Sequence, residues 1–415
     1  MRQYTDPVST PLEIFDEEFW RDPYPAYSRL RQDAPVQPVV TPDGMRVWLV
    51  TRYEDVRAAL ADPRLSKELT AAQHLYRRHT ASGVTVRQVN GRVARHMLST
   101  DPPDHTRLRK LVGKAFTAGR VEKLQPRVES VSQALLDALP ARDEVDLIAG
   151  YAFPLAFTVI CELLGLPQTD REQFRQWTQD YNSSGSPELV NAASDAIAAY
   201  VSELIAAERR RPGVGLLSGL IEVTDGGDRL SESELVSLVF LLLSAGHETT
   251  VNLIAGGMLA LLNHPEQLAL LRSDLSLLPT AVEELLRFDS PVNTATHRFT
   301  TQPVVIGGTE IPQDEFVLVC LASANRDRTR FDGPDRLDIT RSAQGHVSFG
   351  HGIHYCLGAP LARQEGEVAF RHWLSRYPRI ELARPGEPLE YRRSLLMRGL
   401  TSLTLRVDRQ AALAG

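Results

Sequence analysis

A cysteine in a glycine-rich segment is the residue best suited to chemistry in this sequence. The segment Phe349–Gly358 contains three glycines besides Cys356, and apolar periodicity after it predicts a helix from about Leu357. Cys356 therefore falls on the predicted first turn of a helix, where amide donors and the positive end of the helix dipole favour a thiolate. Three interpretations are open: an inert buried thiol, a zinc site formed with His351 and His354, or an axial ligand of haem iron.

A second unusual segment, Ala245–Thr250, follows the apolar run Leu238–Leu243. A glycine, a histidine, an acid and two threonines interrupt a helix that must be buried on most of its faces. Water or a ligand is expected at this point. His247 and Glu248 begin a metalloprotease-like H-E-x-x-H pattern, but the fifth residue is Val251, so the second zinc ligand is missing.

The helix that carries this segment has clear boundary signals. Ser231 and Glu234 form a capping-box sequence at its start, and Pro265 ends the pattern. About thirty residues at ~1.5 Å each give a rod of ~45 Å, which is long enough to cross a domain.

Periodicity predicts the other main elements. Further helices are predicted at Ser130–Leu139, Glu188–Arg209, Pro279–Arg287 and Leu361–Tyr377. A β-hairpin is predicted within Val39–Val50, with its turn at residues 42–44, and extended segments at Val304–Ile306, Phe316–Leu321 and Leu400–Val407. Loops are expected at residues 182–187 and 224–229. Because no linker composition occurs, residues 1–415 are predicted to form one domain that is mainly α with small β-sheets, β-rich at about residues 36–52 and helical in the remainder.

Composition excludes several classes of protein. The 415 residues are 43% apolar and 24% charged, which is typical of a soluble globular protein, and the formal charge of −6 argues against binding nucleic acid by bulk electrostatics. The longest apolar run, Leu238–Leu243, is far shorter than the ~20 residues of a membrane span. Three widely separated cysteines suit a reducing compartment. We therefore expect a cytoplasmic protein without membrane or nucleic-acid partners.

Taken together, these motifs resemble those of the cytochromes P450. The family's cysteine-loop pattern F-x-x-G-x-x-x-C-x-G is matched at every fixed position, by Phe349, Gly352, Cys356 and Gly358. The acid and alcohol on a long helix and the E-x-x-R pair Glu284–Arg287 occur in the family's order, and the resemblance extends from about Asp22 to the C-terminal strands. The strings AGHETT and FGHGIHYCLG are similar to those of soluble actinobacterial P450s that tailor macrolides and other polyketides. The resemblance implies the P450 fold, with the long central helix crossing the haem.

The resemblance also implies a cofactor and its binding residues. Haem b would be bound with Cys356 as the axial ligand of its iron, and the thiolate would push electron density toward the metal. Four residues match the family's propionate-binding positions: His105, Arg109, Arg298 and His354. Further haem contacts are implied for Ala245, Phe349, Gly350 and Gly358.

On the long helix, the resemblance implies that Glu248 and Thr249 organise water and deliver protons to dioxygen. A hydroxyl both donates and accepts a hydrogen bond, and a carboxylate linked to water can resupply the proton. From the residue type alone, the preferred interpretation of Thr249 is a hydrogen bond to a carbonyl one turn earlier. Gly246 would leave room for dioxygen.

Glu284 and Arg287 are open to two interpretations. From their spacing alone they form a surface salt bridge worth ~0.3 kcal/mol. The resemblance instead implies a buried ionic triad with Arg336 that holds the loop approaching Cys356, although Leu337 stands where the family usually has an aromatic residue.

Substrate specificity is expected to come from residues 66–98, from the long helix and from two later segments. The candidate substrate contacts are Ser244, Ala245, Val292 with the residues up to Ala295, Leu396 and Met397. Small and aliphatic side chains predict a roomy, mostly apolar pocket. A polyketide macrolide is the first interpretation of the substrate, hydroxylated or epoxidised, and a steroid or terpenoid is the alternative.

Electrons must reach such an enzyme from outside. The Walker and dinucleotide glycine patterns are absent from the sequence, so NAD(P)H would act indirectly, through the ferredoxin and ferredoxin reductase that serve similar family members. A peroxygenase or isomerase that needs no reductase, and a non-catalytic haem-thiolate sensor or carrier, are the alternatives. The intact acid and alcohol pair counts against them.

Overall fold

The protein is mainly α-helical with small β-sheets, as the sequence predicts. A computed structural model describes residues 12, 14–81, 90–140, 142–166, 171–182, 187–225 and 227–408. Within these residues the α-helices are α1 (Glu17–Arg21), α2 (Tyr24–Asp33), α3 (Tyr53–Ala61), α4 (Leu69–His79), α5 (Gly91–Ala94), α6 (Asp104–Ala115), α7 (Ala118–Glu122), α8 (Gln125–Ala138), α9 (Phe153–Leu164), α10 (Arg171–Asn182), α11 (Pro187–Arg210), α12 (Leu216–Glu222), α13 (Glu232–Leu262), α14 (Pro265–Ser273), α15 (Leu278–Phe288), α16 (Leu321–Asn325) and α17 (Ala359–Arg376).

The strands are short and come from both halves of the chain. They are β1 (Val36–Val40), β2 (Arg46–Val50), β3 (Leu65–Ser66), β4 (Arg142–Asp146), β5 (Thr224–Asp225), β6 (Asp228–Arg229), β7 (Arg298–Thr300), β8 (Val304–Ile306), β9 (Thr309–Ile311), β10 (Phe316–Val319), β11 (Arg379–Leu382) and β12 (Thr404–Asp408). The largest described sheet has the order β1-β2-β10-β7-β3, a second has the order β11-β12-β4, and the pairs β5-β6 and β8-β9 form hairpins.

The predicted hairpin is confirmed, but it is not a separate β-rich part. β1 and β2 pair antiparallel, with Gly44 at φ +73° in the turn between them. On its other side β2 pairs in parallel with β10, and β10 continues to β7 and β3. After residue 52 the chain is mainly helical but also supplies strands: β10, within the extended segment predicted at Phe316–Leu321, joins the hairpin from more than 200 residues away.

The long helix α13 forms as its boundary signals predict. The Ser231 hydroxyl accepts the backbone N–H of Glu234 at 3.3 Å, and the Glu234 carboxylate accepts the N–H of Ser231 at 2.8 Å. These two bonds satisfy backbone donors that a helix start leaves unpaired. The helix runs for 31 residues and is buried along most of its length.

Two glycines of α13 let neighbouring helices approach closely. A Cβ at Gly257 would lie 2.6 Å from the ring of Phe370 on α17. A Cβ at Gly246 would lie 2.8 Å from the side chain of Ile160 on α9. The missing side chain of Gly246 thus serves the contact with α9, which corrects the expectation that it leaves room for dioxygen.

Other predicted elements differ in their ends. The predicted strand at residues 316–321 ends at Val319, and Leu321 begins α16. The predicted loop at residues 224–229 contains the hairpin β5-β6, while residues 183–186 of the other predicted loop lie outside the described residues. The strand predicted from Leu400 begins at Thr404.

Two helices, α11 and α13, are long and apolar enough to cross a membrane by length and composition. In α13, however, 78% of the most apolar window is buried within the protein. Such burial is typical of the core helix of a globular protein, so its composition is explained by packing.

Candidate active site

The loop that carries Cys356 is a compact turn. Its backbone is held by hydrogen bonds from the N–H of Cys356 to the Phe349 carbonyl at 2.9 Å and from the N–H of Gly350 to the Val347 carbonyl at 2.8 Å. Gly350 and Gly352 both have φ +74°, a left-handed conformation that favours glycine. The half-buried ring of Phe349 packs in the same loop.

The sulfur of Cys356 lies beside the N-terminus of α17. The sequence predicted that Cys356 lies on the first turn of this helix. The helix begins at Ala359, however, so Cys356 precedes it. The N–H groups of Gly358 and Ala359 donate to the sulfur and lower the pKa of the thiol, whereas burial acts more strongly and raises it. The residue is nevertheless exposed on one side, unlike the buried Cys161 and Cys320. An exposed residue whose sulfur accepts two amide N–H groups is not the inert buried cysteine of the first interpretation.

The zinc interpretation has no support in the geometry. Among the residues that the structure describes, no three His, Cys, Asp or Glu side chains are grouped closely enough to hold a metal ion. His351, His354 and Cys356 therefore do not form the tetrahedral site that zinc prefers.

The four residues predicted to bind the propionates lie together. His105 and Arg109 share one face of α6, and the ring of His105 lies 4.4 Å from the ring of His354. The Arg109 guanidinium donates to the Tyr355 carbonyl at 2.7 Å, which ties α6 to the cysteine loop. Arg298, on β7, is 4% exposed. Burial, and then the surrounding cations, lower the pKa of His354 to about 2.

The middle of α13 has one accessible face. Ala245 is exposed and Thr249, one turn later, is partly exposed, although the helix around them is buried. The Thr249 hydroxyl donates to the Ala245 carbonyl at 2.8 Å, which confirms the bond to the preceding turn. A hydroxyl bonded in this way keeps its lone pairs available to accept a proton.

Glu248 lies on a different face of α13 and forms a buried ion pair. Its carboxylate accepts a hydrogen bond from the Arg392 guanidinium at 2.7 Å, and the residue is 4% exposed. The two side chains line a small polar cavity together with Arg175 and His247. No local pattern in the sequence points to Arg392, because 144 residues separate it from Glu248.

A buried acid links α13 to the helix that follows the cysteine. The Thr250 hydroxyl donates to the Glu365 carboxyl group at 3.1 Å, and Glu365 is 1% exposed. Burial raises the pKa of Glu365 well above its ordinary value. This contact helps to set the position of α17, and hence of the Cys356 loop, relative to the middle of α13.

The structure brings the two late substrate segments together. Val292 forms an isolated antiparallel bridge with Met397, and the N–H of Asn293 donates to the Leu396 carbonyl at 2.8 Å. Val292 and Leu396 are partly exposed, whereas Met397 and Ser244 are buried. Of the predicted specificity region 66–98, residues 82–89 lie outside the described residues.

Comparison with known proteins decides the family. The family description "Cytochrome P450" matches residues 188–401. The chain is 47% identical over 401 residues to the vitamin D(3) 25-hydroxylase of Pseudonocardia autotrophica, covering 96% of this chain and 97% of that one. It is 42% identical over 408 residues to the 6-deoxyerythronolide B hydroxylase of Saccharopolyspora erythraea, covering 97% of this chain and 100% of that one. The chain is a cytochrome P450.

A solved P450 structure agrees with this assignment. The tirandamycin C-bound P450 monooxygenase TamI superposes on this P450 with a TM-score of 0.89 and 48% sequence identity, covering 96% of this chain and 100% of that chain. The fold is thus the P450 fold, and the protein is a monooxygenase, an oxidoreductase that incorporates an oxygen atom into its substrate.

Haem is the cofactor of the P450 family, and the residues present fit it. Among the described residues, both ring nitrogens of His105 and the Nε of Arg298 are buried without a hydrogen-bond partner, so they are available to a carboxylate such as a haem propionate. The sulfur of Cys356, with its two amide donors, suits an axial ligand that is deprotonated. The residues predicted to bind the propionates and the cysteine predicted to bind the iron therefore both have the donor groups that haem requires.

The predicted ionic triad of this P450 needs one correction. Glu284 and Arg287 are fully buried and bonded through two contacts, of 2.7 and 2.8 Å, which confirms the buried pair. The Arg336 side chain, however, is 71% exposed and pairs with Asp338. The third guanidinium belongs to Arg341, whose Nε lies 3.3 Å from the Glu284 carboxylate. Arg336 contributes its backbone carbonyl to Arg287 instead.

This correction makes a testable prediction. We expect Arg341→Gln to lower the free energy of unfolding by about 1–3 kcal/mol, because a buried carboxylate loses one of its charged partners. The matched control, Arg336→Gln, changes a largely exposed side chain and should cost less than ~0.5 kcal/mol. Urea unfolding of the haem-loaded variants measures both values. A larger loss for Arg336→Gln than for Arg341→Gln would show that Arg336 completes the triad.

Proposed function

We propose that this P450 hydroxylates or epoxidises a bulky, mostly apolar secondary metabolite, and that a polyketide macrolide is its substrate. The pairing of residues 292–293 with 396–397 carries this proposal, since it gathers Val292, Leu396 and Met397. The small residues Ser244 and Ala245 on α13 are assigned as further substrate contacts. A mostly apolar lining with few polar groups suits a macrolactone.

The relatives favour two substrate classes. One relative is named for hydroxylation of 6-deoxyerythronolide B, and this supports the macrolactone interpretation. Another is named as a vitamin D(3) 25-hydroxylase, and this keeps a steroid or terpenoid as the second candidate. Both substrates are large and apolar, so the lining by itself does not separate them.

We propose the following roles for the residues of the site. Haem, when bound, would supply the activation of dioxygen, and Cys356 would hold its iron. His105, Arg109, Arg298 and His354 would bind its propionates. The remaining residues assigned to haem binding are Ala245, Phe349, Gly350 and Gly358. The amide donors of Gly358 and Ala359 stabilise the thiolate by hydrogen bonding.

Proton handling is assigned to two neighbouring side chains of α13. The Thr249 hydroxyl lies on the accessible face, where it can donate a proton and accept one in return. Glu248 lines the small cavity, where its carboxylate accepts a hydrogen bond from Arg392, and we assign to it the uptake of a proton from water. Helix α13 thus carries the proposed proton donor, the Thr249 hydroxyl, on its accessible face and the proposed proton source, the Glu248 carboxylate, at the preceding residue.

The remaining assignments concern partners and location. Electrons from NAD(P)H arrive through ferredoxin and ferredoxin reductase, and the substrate is a small molecule. The protein acts in the cytoplasm, without nucleic-acid or membrane partners. The whole chain forms a single P450 domain, which the mixed origin of the sheet strands supports.

Spectroscopy of the purified protein tests the proposal. We expect a thiolate-type Soret band in the reduced, carbon-monoxide-bound protein, because Cys356 is the predicted axial ligand. Titration of the oxidised protein with a macrolactone, a terpenoid and a steroid should shift the iron from low to high spin most strongly with the macrolactone. A stronger response to a steroid would move the assignment to the second candidate.

Turnover separates an enzyme from a sensor or carrier. Product formed with ferredoxin, reductase and NAD(P)H identifies a reductase-dependent monooxygenase. Product formed with hydrogen peroxide alone would indicate a peroxygenase. A thiolate-type spectrum without turnover of any ligand that binds would favour a carrier or sensor.

A further inference from the structure

A buried lysine lies beside the predicted propionate-binding group, and the P450 motifs do not account for it. Lys67 immediately follows β3, which pairs antiparallel with β7 through Leu65 with Thr300 and Ser66 with Phe299. Continuing this register by one residue places Lys67 opposite Arg298. Residues directly opposite each other in an antiparallel pair have side chains on the same face of the sheet. The two cations therefore point to the same side.

Both cations are buried, which makes their proximity costly. Lys67 is 6% exposed and Arg298 is 4% exposed. Like charges on opposite residues of two strands repel each other, and burial removes the water that would screen them. An anion beside the two groups would offset this repulsion.

The described residues supply only part of the required negative charge. The Lys67 ammonium donates to the neutral hydroxyl of Thr296, and the Arg298 guanidinium donates to the Leu65 carbonyl at 3.3 Å. Asp101 attracts both cations, but its carboxylate accepts hydrogen bonds from the Ser66 hydroxyl and the Lys67 backbone N–H. Asp62 attracts Arg298 as well, but its carboxylate is paired with Arg64. Within the described part of the chain, neither cation forms an ion pair with a carboxylate.

The electrostatics of Lys67 agree with a missing counter-ion. Burial, and then the charge of Arg298, lower the pKa of Lys67 well below its ordinary value. Lys67 also acts on His105, one of the residues whose ring nitrogens have no hydrogen-bond partner. Unpartnered donors on α6 and β7 and the ammonium of Lys67 thus converge on one region.

We propose that the ammonium of Lys67 binds a carboxylate of the haem, as a cation additional to His105, Arg109, Arg298 and His354. A carboxylate there pairs with Lys67 and Arg298 together and removes their mutual repulsion. The haem is the source because Arg109 is bonded to the Cys356 loop through the Tyr355 carbonyl, so the cation group borders the molecule that Cys356 binds. This inference rests on the haem assignment of the proposed function.

Haem release tests the proposal. The variants are Lys67→Met, which keeps the length of the side chain without its charge, Lys67→Gln, Lys67→Arg, and Lys123→Met as the matched control at an exposed lysine. Transfer of haem from each holoprotein to an excess of apomyoglobin gives the release rate. We expect release to be about 10-fold faster for Lys67→Met and Lys67→Gln, near the wild-type rate for Lys67→Arg, and unchanged for Lys123→Met.

Two further readouts exclude a merely structural role. The thermal stability of the apoprotein should stay the same or rise in Lys67→Met, because the variant removes a repulsive buried charge. The reduction potential of the haem iron should fall, because a positive charge near the cofactor stabilises the reduced form. A destabilised apoprotein with an unchanged potential would overturn the proposal.

The outcomes also separate the sources of the carboxylate. The alternative source is a carboxylate of the substrate, and a long-chain fatty acid and its methyl ester are the probes for it. If Lys67→Met releases haem at the wild-type rate but binds the fatty acid more weakly than the wild type does, while binding of the methyl ester is unchanged, the proposal is overturned and the ammonium is assigned to the substrate. A wild-type protein without a thiolate-type spectrum would refute the proposed function itself. A normal wild-type spectrum with unaltered variants would refute only the role of Lys67.

Discussion

The Cys356→Ser variant should lose the thiolate-type Soret band of its reduced carbon monoxide complex and form product only at background level. An alcohol stays protonated near neutral pH and cannot replace the electron donation of a thiolate. Because the axial ligand itself is lost, the loss of activity should exceed the roughly 10–100-fold that typically follows removal of an outer-shell partner of a metal ligand. Absorption spectra and product analysis measure both effects.

Two controls make this result specific to position 356. Cys161→Ala changes a buried cysteine in α9 and should keep the spectrum, even with some loss of stability. Thermal unfolding of Cys356→Ser should show a folded protein, because the residue is exposed on one side and the loop is held by its backbone. A thiolate-type band that survives in Cys356→Ser but is lost in Cys161→Ala would place the ligand elsewhere.

The Thr249→Ala variant should consume NAD(P)H while releasing hydrogen peroxide in place of oxidised substrate. The Thr249 hydroxyl is the proton-carrying group on the accessible face of α13, and alanine leaves the Ala245 carbonyl without its donor. Without a placed proton donor, reduced oxygen leaves as peroxide before it reacts with the substrate. We expect product formation to fall about 10–100-fold. This loss is no larger than the smallest typical contribution of general acid–base catalysis, which is roughly 100-fold.

Coupling, and not only rate, is the decisive quantity here. The ratio of product to NAD(P)H should fall in Thr249→Ala, and Thr249→Ser, which keeps the hydroxyl, should restore much of it. Thr250→Val is a useful neighbour control, because Thr250 binds Glu365 and faces away from the accessible side. Equal coupling in Thr249→Ala and the wild type would remove Thr249 from the proton route.

Several parts of the protein followed from local sequence patterns. The capping box at Ser231 and Glu234 and the apolar stretch after it predicted α13 within one residue at its start. The turn around Gly44 predicted the β1–β2 hairpin. The cysteine loop, with its glycines at 350 and 352, was likewise predicted from the sequence. Caps, turns and left-handed positions depend on residues that are close in the chain.

The pairing of distant side chains was decided only by the tertiary structure. Arg392 with Glu248 and Arg341 with Glu284 are contacts that no spacing predicts. The error at Arg336 has the same cause, since two arginines five residues apart both reach the Glu284 region and only packing decides which one is buried.

The sequence by itself therefore determined the fold family, the helix that crosses the site and the cysteine at its centre. These features are encoded by short-range patterns and by a ten-residue string with fixed positions. The tertiary structure decided which charges meet and which glycines permit helix contact. Gly246 illustrates this division: its residue type was readable, but its packing against Ile160 depends on how α9 crosses α13. Ion pairs and close helix contacts arise from segments far apart in the chain, so their partners are set by the fold as a whole.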